Sequence, residues 1–301
     1  MKNVLSELIT AALEHQGAHL RFDGNGDVTQ AIKVTPASVR FLSLNEVLSP
    51  RSGAQTTLNA ALIANSLVVA AGANVLRIPG PMTQQPDIDA TGNRRQISFE
   101  EVARHFLVTP AGKFAQVTDG DEITLSDAPY LVASYDDATA PAYGIGYQLS
   151  RQQLKHTFAD PDVVLKSINS AIEQGIARLA DAVLLAHIET NAATLADANV
   201  TTIAAAAAAK GLRWAGLSAV AGTSASGVTL DSTGKLRVAG VAAELTDTIT
   251  GSVIGAFDRA AVAIDDEVRL TVRRTDNAGV EIVAWVNASP LVPDVSAFWK
   301  A

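Results

Sequence analysis

DPDVVLKSINSAIEQGIARLADAVLLAHIE, residues 160–189, decides how this chain is read. Asp160 offers a side-chain oxygen to the first free backbone N–H groups of a helix. Pro161 suits the first helical position, and Asp162 puts negative charge where the helix dipole favours it. Beyond this start Val164, Ile168, Ile172, Ile176, Leu179 and Val183 recur every three or four residues. Lys166, Asn169, Glu173, Arg178 and Asp181 fall mainly between them. The spacing predicts one helix with an apolar face and a wet face, about 45 Å long, well above the usual three or four turns. A rod of that length needs a long surface to lie on. An ordinary core helix of an α/β enzyme satisfies the same pattern.

The surface is found near the other end of the chain. Val268, Leu270 and Val272 alternate with Arg269, Thr271 and Arg273, and residues 276–279, DNAG, reverse the chain. Val280, Ile282, Ala284 and Val286 then continue the period of two, the pattern of a β-hairpin with one buried face. Residues 261–264 add a further strand.

At 301 residues and 48% hydrophobic content the chain is large enough for one big domain or two ordinary ones with a sizeable core. Aromatic residues make up only 5%, so packing falls to Ala, Val, Leu and Ile. The absence of cysteine excludes disulfides, thiolate metal sites and cysteine nucleophiles, and fits a reducing cytoplasm. A formal net charge of −8 argues against strong non-specific binding of nucleic acid, which depends on Lys and Arg neutralising phosphates. Glu7, Glu14 and His15 interrupt the amphipathic first 16 residues, so no signal-peptide core is expected there. No apolar run is long enough to span a membrane.

The remaining segments read as follows. Residues 1–16 carry a short amphipathic helix, and 17–50 are arm-like, with too few apolar residues for a core of their own. Residues 52–73 read as a second, Ala-rich helix ended by Gly72, followed by a strand at 75–78. Within 97–134 four short extended candidates, 104–108, 114–117, 122–125 and 130–133, are separated by Pro110, Gly112, Asp119, Gly120, Asp127 and Pro129. This is a long two-stranded excursion. A ribbon of that kind is marginal alone in water and needs another surface, such as a second subunit. Residues 142–149 form a strand candidate, and 191–250 read as a simple linker or, better, as a compact subdomain of short strands and one helix around the six alanines 204–209. There Leu212, Trp214, Leu217, Val220 and Leu230 call for burial.

No catalytic constellation is present: no GxSxG, P-loop, HExxH or dinucleotide-binding glycine pattern. DGNGD, residues 23–27, offers oxygen ligands at alternate positions but has Val28 where a calcium loop needs Gly, and Val34 where it needs a bidentate Glu. His15 and His19 are four apart without a third ligand, with Gly17 between them. His105, His156 and His187 read as solvated or core residues. No cofactor, metal or catalytic residue is expected. Arg94, Arg95, Arg269, Arg273 and Arg274 are candidate contacts to phosphates, carboxylates or another subunit; alternatively, they form ordinary solvated faces.

At Tyr147, Gln148, Leu149, Ser150, Arg151, Gln152, Gln153 and Leu154, leading into the long helix, the chain resembles the major capsid proteins of tailed phages, the Hong Kong 97-like fold. A second resemblance is IGAFDRAAVAID, residues 254–265, followed by the VRLTVRRTDN hairpin and a closing segment from Pro293 to Phe298. Together the matches cover roughly residues 142–189 and 253–298; the order and spacing of these loose motifs carry more than any one of them.

The resemblance implies an α+β Hong Kong 97-like capsid fold: an N-terminal arm at 1–50, an extended β-hairpin loop at 97–134, and a small axial domain at 191–250. The peripheral domain, with a long spine helix on a β-sheet, takes 51–96, 135–190 and 251–301. The axial segment is shorter than is common in that family, and no N-terminal region is large enough for a fused scaffold.

The implied function is a major capsid protein that assembles with itself into hexamers and pentamers around double-stranded DNA, without sequence-specific binding, in the virion capsid of a bacteriophage built in the host cytoplasm. A portal, a separate scaffolding protein and a decoration protein are the implied partners. Some relatives crosslink through Lys–Asn isopeptide bonds, and Lys113 is the one lysine in the extended loop, hence a candidate subunit contact. Two other readings stay open: an encapsulin-type nanocompartment shell, and a soluble α/β enzyme with an unrecognised site.

Overall fold

A computed structural model describes residues 65–78, 104–112, 114–119, 122–123, 125–136, 138–154, 161–265, 267–275 and 278–301. It also describes Ile9 and three early strands. Those strands are β1 (Arg21–Phe22), β2 (Val28–Gln30) and β3 (Ala37–Ser43). They are followed by helix α1 (Leu67–Ala70), β4 (Asn74–Ile78), β5 (His105–Val108), β6 (Leu131–Ser134), β7 (Ala142–Leu149) and helix α2 (Pro161–Asn191). Next come β8 (Ala193–Thr194), helix α3 (Val200–Ala209), β9 (Ser218–Ala221), β10 (Val228–Leu230), β11 (Leu236–Val238) and β12 (Val241–Leu245). The chain closes with β13 (Ser252–Gly255), β14 (Ala261–Asp265), β15 (Glu267–Arg274), β16 (Val280–Leu291) and β17 (Phe298–Lys300).

The chain divides into two compact units. One comprises residues 1–61, 142–176 and 266–287; the other comprises 62–141, 177–265 and 288–301. Helix α2 and strand β16 each contribute to both. At 31 residues α2 is about 46 Å long, as the periodicity predicts.

In the first unit β3, β15, residues 280–287 of β16, and β7 pair antiparallel in that order. Leu270 faces Ala284 and Val272 faces Ile282, and these side chains are buried with Val268, Val280 and Val286. Ile168, Ile172 and Ile176 of α2 are buried too, and a Cβ built on Gly175 would lie 3.5 Å from Ile145 of β7. The helix therefore rests on this sheet. The hairpin reverses where the DNAG segment predicts: Thr275 N–H donates to Gly279 O, and Gly279 N–H to Thr275 Oγ1. Gly279 is required by proximity, since a Cβ there would fall 2.6 Å from the Leu149 carbonyl oxygen.

In the second unit seven strands run in the order β10-β11-β12-β9-β13-β17-β8, with β12 parallel to β9 and β17 parallel to β8. All four residues of β13 are buried, the mark of a strand covered on both faces. Phe257 and Phe298 pack edge to face, centroids 5.4 Å apart, and Phe298 comes so close to Gly255 that any Cβ there would overlap its ring. Strand β14 pairs with β4 in parallel and with residues 288–291 of β16 antiparallel. Ile78, Tyr135, Ala261, Ala263 and Leu291 form a buried cluster there, with Phe106 and Ala133 against it.

Four expectations need correction. The second helix is not continuous over its described part. Ser66 is extended (φ −102°, ψ 128°) and its Oγ accepts the Val69 N–H, so α1 begins anew at Leu67; residues 52–64 lie outside the described set. Gly72 does end it, at φ +113°.

Asp181, assigned to the wet face of the long helix, is 4% exposed. Of the four extended candidates in the excursion only β5 and β6 pair; the described parts of 114–117 and 122–125 join no strand. Pro110 and Pro129 flank the last pair, Val108 with Leu131, and each removes a ladder donor. Finally, Leu217 and Val220 are buried and Leu212 half-buried, but Trp214 and Leu230 are exposed, Leu230 to 70%. The helix expected at 1–16 lies outside the described residues except for Ile9, which is helical and buried.

Candidate assembly surface

The β5–β6 ribbon is built on four cross-strand pairs, from His105 with Ser134 to Val108 with Leu131. Alternation along each strand turns Phe106 and Ala133 toward the buried cluster and leaves Leu107 and Val132 in solvent. At its root the Tyr135 N–H donates to the Arg104 carbonyl at 2.8 Å, and His105 Nδ1 lies 2.8 Å from Ser134 Oγ.

Outward from that root most of the described apolar side chains are exposed. Among the described residues thirteen large hydrophobics are exposed. Eight belong to this one excursion: Leu107, Phe114, Val117, Ile123, Leu125, Tyr130, Leu131 and Val132. Phe114 is as exposed as in an isolated peptide (106%) and Leu125 nearly so (90%). Scattered exposed apolar residues need no explanation, but this concentration on one excursion, three on its paired strands and five beyond them, makes it a candidate interaction surface.

The other exposed apolar residues are Val200, Trp214, Leu230 and Leu245 in the second unit and Trp285 in the first. Val200 and Trp214 gather around Gly240: a Cβ there, at φ +81°, would lie 2.6 Å from Val200 Cγ2 and 3.7 Å from the indole. Trp285 lies across Gly144, its cross-strand neighbour, whose missing side chain makes room for the ring.

The arginine candidates divide. Arg269, Arg273 and Arg274 share β15. Arg269 stands opposite Trp285. Arg273 Nε donates to the Glu281 carboxylate at 2.5 Å across the hairpin, which takes up part of its charge within the chain. Arg274 is half-buried, and its Nη1 is buried without a hydrogen-bond partner. Arg94, Arg95 and Lys113 lie outside the described residues.

The polar groups that hold the frame were not singled out by their sequence. Asp181 accepts hydrogen bonds from Ser66 Oγ (2.7 Å), Val68 N–H (3.0 Å) and Leu67 N–H (3.2 Å), so the long helix caps α1. Burial pushes its carboxyl above the ordinary 3.8, and the three donors only partly oppose this. Glu189 Oε1 accepts from Thr250 N–H and Oγ1 and from Gly251 N–H. Burial lowers the pKa of half-buried His187. No group of three or more potential metal ligands occurs among the described residues, and none of the described helices is long and apolar enough to cross a membrane.

No family model and no curated protein matches this chain. Solved structures do. A procapsid of satellite phage P4 including its size determination protein is 13% identical at a TM-score of 0.49, covering 82% of this chain and 99% of that one. The capsid of an empty GTA particle is 11% identical at 0.45, covering 84% and 94%. A virus-like particle from Pyrococcus furiosus is 13% identical at 0.44, covering 81% and 97%. All three are particle shells. Every TM-score is under 0.5, so the functional reading rests on this chain's own residues.

Proposed function

We propose that this chain is a structural shell subunit without enzymatic activity, the major capsid protein of a tailed bacteriophage, and that copies of it close into an icosahedral particle around double-stranded DNA. The observation that carries the reading is the excursion: eight exposed large hydrophobics around four ladder pairs, against five among the rest of the described residues. Such a surface is completed only by another molecule. A repeated contact between identical copies is the economical way to complete it, because each weak contact recurs around a closed shell. The spine-like helix on a hairpin sheet and the SRQQL junction, where Ser150 Oγ accepts the Gln153 N–H, agree with the capsid resemblance of the sequence.

In this reading residues 1–50 are the arm, 97–134 the extended loop, 191–250 the axial domain, and the rest the peripheral domain. The shell is built of hexamers and pentamers in the host cytoplasm, with a portal, a separate scaffold and a decoration protein as partners. Arg94, Arg95, Lys113, Arg269, Arg273 and Arg274 are proposed subunit contacts, and the acidic net charge fits DNA that is enclosed rather than gripped. Size-exclusion chromatography and electron microscopy of the expressed protein test this: closed particles are expected, and a sharp monomer or dimer at all concentrations would overturn it. Particles that contain protein cargo and no nucleic acid would assign the shell to a nanocompartment.

A further inference from the structure

We infer that Tyr135 is the positioning residue of the ribbon: its hydroxyl, held by Asp265, fixes the direction in which the excursion leaves the body. The inference rests on the shell reading for its consequence and on geometry for its content. Tyr135 follows directly on β6, and its side chain is 5% exposed, seated among Ile78, Ala261, Ala263 and Leu291. Its Oη donates to Asp265 Oδ1 at 2.8 Å, at the end of β14.

The root is therefore tied to β14 in two chemically different ways. The apolar contacts of Phe106, Ala133 and the Tyr135 ring are non-directional and would tolerate sliding or rotation. The hydroxyl-to-carboxylate bond is directional and charge-assisted, and it fixes the ring's azimuth within the cluster. The Tyr135 N–H to Arg104 carbonyl bond then passes that orientation to the opposite strand. A rotation at the root swings the four-pair ladder as a unit, and with it the point from which the exposed stretch carrying Phe114 and Leu125 departs.

The experiment is a distance measurement. The chain has no native cysteine, so spin labels attached through Val132→Cys, an exposed position of β6, and Ala186→Cys, an exposed position of α2, report one distance by double electron–electron resonance. The otherwise unaltered labelled chain is expected to give a single narrow distribution. Tyr135→Phe, which keeps the ring and removes the hydroxyl, should lose it. So should Asp265→Ala, which removes the acceptor. In the unlabelled chain either substitution should lower the yield of closed particles. An unchanged distribution in either variant overturns the inference, and does so whether or not particles form. If the distribution broadens as described but the parent chain never closes a particle, the shell reading fails and the positioning role of Tyr135 stands.

Discussion

Helix α2 and the β5–β6 ribbon are both rich in large apolar side chains, and they dispose of them in opposite ways. Along α2, Ile168, Ile172, Ile176, Leu184, Leu185 and Ile188 are buried against the chain's own body. Along the excursion Phe114, Ile123 and Leu125 are left in water. The helix works within the fold and the ribbon beyond it, so composition alone distinguishes neither. The difference lies in geometry: the apolar stripe at Ile168, Ile172 and Ile176 is buried against a sheet of the chain itself, whereas beyond Pro110 and Pro129 pairing stops and the described apolar side chains are exposed.

The sharpest way to break this comparison is to remove the ribbon. Deletion of residues 100–130 should leave a chain with native-like circular dichroism that forms no closed shells under the electron microscope. Normal particles from that variant would show that the exposed side chains are not an assembly surface.

Two point substitutions sharpen the contrast. Leu184→Ala, at a fully buried position of the helix, should cost about 2–5 kcal/mol in denaturant unfolding. Leu125→Ser should change the stability of the unassembled subunit by no more than about 0.5 kcal/mol while impairing particle formation. If Leu125→Ser destabilised the lone subunit as much as Leu184→Ala, the ribbon would be folded onto its own body and the comparison would collapse.

Asp181 supplies a smaller, pH-dependent test. Its folded-state pKa lies above the unfolded value of 3.8 because burial outweighs the three hydrogen bonds it accepts. The sign follows from linkage: the proton is bound more tightly in the folded state, so this group's contribution is fully present below 3.8 and is lost as pH rises through the folded pKa. Thermal unfolding of the wild type from pH 3.5 upward should therefore carry a decline that Asp181→Asn lacks. Asp181→Ala should cost about 1–3 kcal/mol at any pH, since it strands buried donors. Identical pH profiles for wild type and Asp181→Asn would refute the assignment.

Why some of this was legible from the chain and some was not is a matter of range. The helix, the hairpin and its turn are written in local periodicity at Ile168, Ile172, Ile176, Val268, Leu270 and Val272, and local spacing suffices to place them. Asp181 reads as a wet-face residue because its donors sit 113 to 115 positions earlier, beyond any pattern a window can show. Ser66 looks like one more helical residue until the carboxylate that caps its neighbours is in place. The extended character of 114–117 and 122–125 suits a strand, yet strands need partners, and Pro110 and Pro129 were signals that pairing would stop. Trp214 and Leu230 show the reverse error: a demand for burial was assumed to be met within the chain. Of the candidate contacts, Arg269, Arg273 and Arg274 come together because a shared strand is a local property. Arg273 already meets Glu281 within the chain, a pairing that the strand register sets.

The finest test compares two excursions. The β10–β11 hairpin ends in a polar knot. Asp231 Oδ1 accepts from Thr233 N–H and Oγ1 and from Lys235 N–H, and Arg237 Nε donates to Oδ2 at 3.0 Å. These donors, the Thr233 hydroxyl first, hold the Asp231 carboxyl well below its ordinary range. Its contribution is therefore present above 3.8 and lost as pH falls toward the lower folded value, the opposite sense to Asp181. Because the knot is at the surface, Asp231→Asn should leave the global unfolding midpoint nearly unchanged at neutral pH. It should instead raise amide exchange at Thr233 and Lys235, the two backbone donors. This hairpin satisfies its turn from within; the β5–β6 ribbon, closed at its root by Tyr135 and bare beyond it, does not. Unaltered exchange in Asp231→Asn would mean that the turn's backbone alone sets the hairpin, and that polar closure is not what separates the two.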